Sequence, residues 1–263
     1  MSDDTVLSPD VLSPLDEAGV RARAAQIPEG LLGPDVDVDF VPVRNSCFLL
    51  DSYYESILFD AYIAEAGLTA EDEGYDAVVM DTVSDSGLQV LRSRLSIPVI
   101  GPGNVAFHLA GILGQRFSVV TMWDTWKFFY RKLFKEYGLS DNVASVRAVN
   151  IPPDVEQLFA GKEDEMYQRL TDEAMLAIEQ DGADVIVLGS TTMHQAAAYM
   201  TEHLPCPVIN PGPAAVAIAE TVVRLGLGHS KVAFPTPGTI QDEKLFSLIG
   251  VDGAPRQTAG EAS

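Results

Sequence analysis

The sequence predicts an α/β protein of two similar lobes, with mostly parallel sheets and a ligand cleft between them. Three observations predict it. Gly74–Thr82 (GYDAVVMDT) and Gly182–Ser190 (GADVIVLGS) read alike, and so do the runs that follow them, Ile97–Gly103 (IPVIGPG) and Cys206–Gly212 (CPVINPG). Self-similarity of this kind marks a duplicated unit. Strand-like and helix-like stretches alternate along the chain, which favours parallel sheets. The chain crosses to the second lobe near Gly103 and returns near Gly212. Residues 1–103 with 212–263 then form one lobe, and residues 104–211 the other.

The elements follow in order. Residues 5–7 read as a short strand, within a Pro-, Asp- and Gly-rich segment of weak periodicity. Val36–Val43 alternates Val and Phe with Asp, the pattern of a strand with one polar face. Ser52–Leu68 is apolar at helical spacing (Tyr54, Ile57, Leu58, Tyr62, Ile63) and predicts a helix. Ala77–Met80 is a continuous apolar run, which suits a buried parallel strand. Gly87–Leu95 predicts a short helix, Pro98–Gly101 a strand and Asn104–Leu113 an apolar helix. Phe117–Met122 and Ala144–Asn150 read as strands around a helix with an aromatic face, Thr125–Tyr137. Helices are expected at 154–160 and over the amphipathic stretch Glu163–Gln180. Val185–Leu188 is the second central strand. Met193–His203 predicts a helix, Pro207–Ile209 a strand, Ala214–Leu225 a helix, Lys231–Phe234 a last strand and 242–249 a last helix. The tail 252–263 reads as disordered.

Composition narrows the function. The 263 residues are 47% hydrophobic, ample for a packed core, and 38 acidic against 17 basic residues give a net charge of −21. Such a chain repels nucleic acid and anionic membranes. An anionic substrate needs local donors to overcome this field. No apolar run approaches the ~18 residues of a membrane span, and the acidic N-terminus lacks the pattern of a signal peptide. A cytoplasmic location is expected. Two cysteines, Cys47 and Cys206, are too few for a disulfide framework and read as inert thiols. Four scattered histidines show no metal-ligand spacing.

The residues carry a family likeness. EGYDAVVMDT (73–82) resembles the first catalytic strand of the aspartate/glutamate/hydantoin racemase superfamily, hydantoin racemase branch. Asp51–Glu55 (DSYYE) resembles that branch's Tyr-Tyr helix start, and Ser84–Leu88 (SDSGL) its Ser-Asp-Pro-Gly-Leu turn. Ile97–Ala110, Phe117–Thr121, Tyr137–Ala148, Val185–Met193, Pro207–Gly212 and Leu225–Lys231 continue the likeness in order. The resemblance implies two Rossmann-like lobes related by a pseudo-twofold axis, no cofactor, and chemistry at a carbon next to a carbonyl or carboxylate. It implies two cysteines that remove and return a proton on opposite faces, with backbone N–H groups holding the enolate. Here Thr82 and Ser190 stand at the cysteine positions. The N-terminus departs as well, with LSPD (7–10) in place of an Asn-Pro-Asn loop.

Thr82 and Ser190 are therefore the first candidates, as donors to a substrate carbonyl or as helix caps. A hydroxyl needs a neighbouring base to act. His194, four residues after Ser190, could serve it on a shared helix face, or lie on the surface. Asp81, which replaces a small residue of the family, is a candidate acid or base. Asp85 is a candidate substrate contact or a turn stabiliser. Val83, Thr121, Thr191, Thr192 and Tyr54 complete the expected substrate-binding set. Arg44 could pair with an anion, and His108 reads as a core or helix-packing residue. Three functions stay open: an enolising isomerase on a small hydantoin- or amino-acid-like substrate, a hydrolase or lyase using Ser190 and His194 or an activated water, and a binding protein without catalysis. Homo-oligomerisation stays open too.

Overall fold

The computed structural model describes residues 17–43, 50–151 and 163–248. The expected strand at 5–7, the helix at 154–160, the tail, Arg44 and Cys47 lie outside the described residues. Every strand pair described is parallel. The order is α1 (Glu17–Ala24), α2 (Tyr53–Gly67), β1 (Val78–Val79), α3 (Leu88–Arg94), β2 (Val99–Ile100), α4 (Pro102–Leu113), β3 (Phe117–Thr121) and α5 (Lys127–Glu136). β4 (Val143–Ala148), α6 (Glu163–Asp181), β5 (Val185–Leu188), α7 (Ala196–His203), β6 (Val208–Ile209), α8 (Pro211–Arg224) and α9 (Asp242–Leu248) follow.

Two sheets result. One pairs β1 with β2; the other runs β4-β3-β5-β6. The larger sheet is covered on both faces, which explains its unbroken apolar strands. Val120, Ile186 and Leu188 face Leu170, Ala174 and Ala177 of α6 and Met200 of α7. Their neighbours Val119, Val185 and Val187 face Phe107 of α4 and Tyr130, Leu133 and Phe134 of α5. This is the two-residue period of a strand expressed as two cores. Val83, from the turn after β1, is buried in the second of these cores. A side chain of the turn after β1 is thus fixed by packing against the larger sheet and its helices.

The repeat survives at the helix starts. α4 and α8 each begin with Pro at the first position, Pro102 and Pro211, where the missing N–H costs nothing. Gly103 is required there, because a Cβ would collide with the Val83 carbonyl oxygen.

Three expectations are corrected. Residues 36–43 form no strand; among the described residues no strand pairs with them, and Val38 and Val41 are exposed. Residues 231–234 form a turn rather than a strand. The Lys231 ammonium donates to the carbonyl oxygens of Arg92, Ser93 and Leu95, capping the C-terminal end of α3, where a cation is favoured. Helix α1, within a segment of weak periodicity, was not anticipated. None of its residues is buried, so it carries no apolar stripe to read.

Candidate active site

The site is built where β1 and β5 end. Carboxyl ends of parallel strands are where α/β sheets bind ligands. After β1 the chain turns through Thr82–Gly87, and after β5 through Gly189–Met193. Both turns are made alike. Thr82 Oγ1 accepts from the Ser84 amide at 3.4 Å and pairs with Ser84 Oγ at 2.8 Å. Ser190 Oγ accepts from the Thr192 amide at 3.2 Å and pairs with Thr192 Oγ1 at 2.8 Å. A hydroxyl bonded to the amide two residues on stabilises a tight turn. Here the same device appears once in each repeat.

The two turns meet. Thr191 Oγ1 donates to the Asp81 carbonyl oxygen at 3.0 Å, so the residue after Ser190 touches the residue before Thr82. Arg23 of α1 closes the joint. It binds both Asp81 carboxylate oxygens at 2.7 Å and donates to Thr191 Oγ1 at 2.8 Å. Gln26 adds a bond to Asp81 Oδ1 at 3.1 Å.

These contacts correct several expected roles. Asp81 has both oxygens engaged by a guanidinium, so it is an ion-pair clamp, not a free base. Thr191 is 2% exposed and spends its hydroxyl on the same joint. Thr121 is fully buried, and its hydroxyl bonds Tyr130 at 2.9 Å. Tyr130 in turn donates to the Gly189 carbonyl oxygen at 2.6 Å. Burial pushes the Tyr130 phenol up, so it stays a neutral donor. Thr121 and Tyr130 therefore support the second turn from below, their hydroxyls spent within the buried core. Gly189 is fitted to them; a Cβ would lie 2.6 Å from the Tyr130 hydroxyl.

Asp85 is also structural in its contacts. Its backbone is left-handed, with φ of 52°, which Asp tolerates better than most residues. Its buried carboxyl accepts from the amides of Gly103 and Asn104 at 2.9 and 2.6 Å, at the start of α4. It also accepts from the Tyr137 hydroxyl, just past the end of α5, at 2.6 Å. Burial pushes this carboxyl up to about 7, against the lowering pull of those donors.

His194 is half-buried. Burial, then the Arg23 charge, holds its pKa below the usual value, so the ring is neutral near pH 7. Nδ1 lies 3.3 Å from the Thr191 carbonyl oxygen. With the proton there, Nε2 is left as an acceptor. The expected Ser190–His194 hydrogen bond does not form; Ser190 pairs with Thr192 instead. The Val83 side chain lies in the core, at 3% exposure, rather than at the site. Tyr54 is 76% exposed on the first turn of α2. His108 is exposed, not in the core, and packs its ring on Tyr137 at 5.9 Å. The Cys206 thiol is half-buried, and burial pushes its pKa up, which suits an inert thiol. Among the described residues, no group of three or more His, Cys, Asp or Glu side chains could hold a metal. No helix there is long and apolar enough to cross a membrane.

Paired polar turns that follow strands of two parallel sheets define an α/β protein with a candidate small-molecule site. Comparison with known proteins narrows this. The family model for Asp/Glu/hydantoin racemase matches residues 20–219. A hydantoin racemase of Pseudomonas sp. (strain NS671) is 33% identical over 70% of this chain and 72% of its own. Another, from Paenarthrobacter aurescens, is 27% identical over 86% of this chain and 93% of its own. The allantoin racemase structure from Pseudomonas fluorescens superposes with a TM-score of 0.77 at 28% identity, over 84% of this chain and 93% of that one. That from Klebsiella pneumoniae gives 0.77 at 26%, over 84% and 89%. The chain belongs to the Asp/Glu/hydantoin racemase family and is a racemase-like isomerase.

Sequence reasoning missed Arg23, Gln26, Tyr130 and Tyr137. The first two sit in a segment without periodicity. Tyr130 and Tyr137 lie on a face already explained as aromatic packing.

Proposed function

We propose that this chain interconverts the enantiomers of a neutral five-membered cyclic ureide, a 5-substituted hydantoin or allantoin, without a cofactor. The reaction removes the C5 proton beside the ring carbonyl and returns one to the opposite face. Thr82 and Ser190 are the groups on the two faces, and the Val83 amide contributes to holding the enolate oxygen. The lobes divide at 103/104 and 211/212, and the ligand lies between them.

The carrying observation is the duplicated hydroxyl turn, Thr82–Ser84 and Ser190–Thr192, joined through Thr191 and Asp81. A neutral ring suits this site better than a carboxylate. Arg23, the cation beside the turns, is already neutralised by Asp81, and the whole chain carries a net charge of −21. The absent Ser190–His194 bond weighs against a serine-nucleophile hydrolase, which needs its base in hydrogen-bond reach.

The test is NMR of single enantiomers of 5-substituted hydantoins and allantoin in heavy water, with optical rotation followed in parallel. Deuterium gain at C5 with loss of rotation is expected. Thr82→Ala and Ser190→Ala should each lower racemisation about 100-fold or more, the range for loss of a proton-transfer group. An intact, unlabelled and optically unchanged ring would sink the reading.

A further inference from the structure

Asp81 is held the way a protein holds a bound carboxylate. The Arg23 guanidinium donates from Nε to Asp81 Oδ2 and from Nη2 to Oδ1, both at 2.7 Å. This is the two-pronged geometry by which arginine grips carboxylate ligands. Gln26, 3% exposed, adds its side-chain amide to Oδ1 at 3.1 Å. Thr191 Oγ1 accepts from Nη2 at 2.8 Å and so steadies the guanidinium from the other turn. The receptor is sheltered and its occupant is open to solvent: the Arg23 side chain is 13% exposed and that of Asp81 35%. Asp81 precedes Thr82, and Thr191 follows Ser190, so this pair sits where the two turns touch.

We infer that Arg23 and Gln26, with the guanidinium steadied by Thr191, form a carboxylate-binding site that the chain fills with its own Asp81, and that Asp81 thereby turns away rings with an anionic 5-substituent. The second half rests on the racemase reading above; the carboxylate site does not.

The charge count carries the argument. With Asp81 in place the pair sums to zero, and the neighbouring His194 ring is neutral near pH 7. A ring bearing a carboxylate would bring a second negative charge to a guanidinium whose fork is already filled. Discrimination of this kind comes from an unfavourable contact with the wrong ligand as much as from a favourable one with the right ligand. Without the Asp81 carboxylate, the same fork and the same buried amide face a space of carboxylate size with a net charge of +1. The filled and the emptied site therefore select opposite substrates. The first takes uncharged 5-substituents, alkyl or carbamoyl, and the second takes carboxylates.

Two measurements test the two halves. The first needs no substrate. Thermal unfolding of the wild type, Asp81→Ala and Asp81→Ala/Arg23→Gln is followed in ~0.1 M sodium formate and in sodium chloride of the same ionic strength. Formate should raise the Tm of Asp81→Ala above its value in chloride by about 3–6 °C, the effect of a ligand at roughly ten times its Kd. The wild type and the double variant should not respond. Equal Tm of Asp81→Ala in the two salts, or an equal rise in all three proteins, overturns the carboxylate site.

The second measurement compares, within each protein, hydantoin-5-acetate with its isosteric amide, hydantoin-5-acetamide. Binding is read by calorimetry and racemisation by loss of optical rotation from single enantiomers. The wild type should bind the amide about 10-fold more tightly, the effect of one unit charge a few ångströms away at an intermediate dielectric. Asp81→Asn and Asp81→Ala should each move the ratio about 10-fold or more toward the acid. Arg23→Gln, which leaves Asp81 unpaired, should move it further toward the amide. Asp81→Asn keeps the shape of the side chain, so it carries the comparison even if Asp81→Ala does not fold. Damage to the fold weakens both ligands together and leaves their ratio unchanged; an unchanged ratio overturns the selecting role of Asp81. A wild type that binds the two rings in the expected ratio and racemises neither overturns the racemase reading alone. A wild type that binds neither ring overturns that reading and the selecting role with it, and the response to formate still decides the carboxylate site.

Discussion

Tyr130→Phe tests the buried support of the second turn. In the folded protein the Thr121 hydroxyl donates to Tyr130, and Tyr130 donates to the Gly189 carbonyl oxygen at 2.6 Å. Removing the phenol oxygen leaves both outer groups unpaired, and Thr121 is fully buried. Each orphaned buried group costs about 1–3 kcal/mol, so the variant should lose roughly 2–4 kcal/mol. In a chain of this size that lowers Tm by roughly 4–16 °C. Thr121→Val should cost less than about 1 kcal/mol, because Tyr130 keeps its better partner, the Gly189 carbonyl. The double variant removes the orphaned Thr121 hydroxyl. It should be as stable as Tyr130→Phe or more so, giving strong non-additivity. Urea titration of the three variants measures this. Costs that simply add, or a Tyr130→Phe cost below about 0.5 kcal/mol, would refute the reasoning. Because Gly189 precedes Ser190, the single variant should also lower kcat more than it raises KM.

Two further outcomes are expected. Asp85 has its carboxyl raised from 3.8 to about 7, so the folded state holds a proton that the unfolded state releases. That contribution is full below about pH 4 and is lost as pH rises through about 7, a fall worth at most about 4 kcal/mol. Urea midpoints of the wild type should therefore decline across this window, and those of Asp85→Asn should be flatter. Arg23→Gln frees Asp81 and Thr191. With the Asp81 side chain 35% exposed, solvent screening reduces the stability loss to about 1–2 kcal/mol, and 0.5 M salt should shrink the difference from wild type.

The sequence made some of this legible and hid the rest for identifiable reasons. The duplication located Thr82 and Ser190 at strand ends, because buried parallel strands are unbroken apolar runs whatever surrounds them. It could not show that Thr121, at another strand end, points down toward Tyr130. A polar residue at a strand terminus reads the same from above and below. Asp81 looked like an acid because nothing marked Arg23, 58 positions earlier, as its partner. The Val/Asp alternation at 36–43 has a strand's period but pairs with no strand among the described residues. Lys231 sits in a run that reads as a strand, yet its ammonium caps a helix end formed more than a hundred residues earlier.

Val83 carries a final consequence. Its side chain is packed among Phe107, Tyr130 and Val187 while its backbone is part of the Thr82–Gly87 turn. A methyl group gained or lost in that core moves the turn without any change at its surface. Selection for a new substrate can therefore act on interior volume. Libraries at Phe107, Leu133 and Val187 would retune the gap around Thr82, with every polar group of the site left as it is.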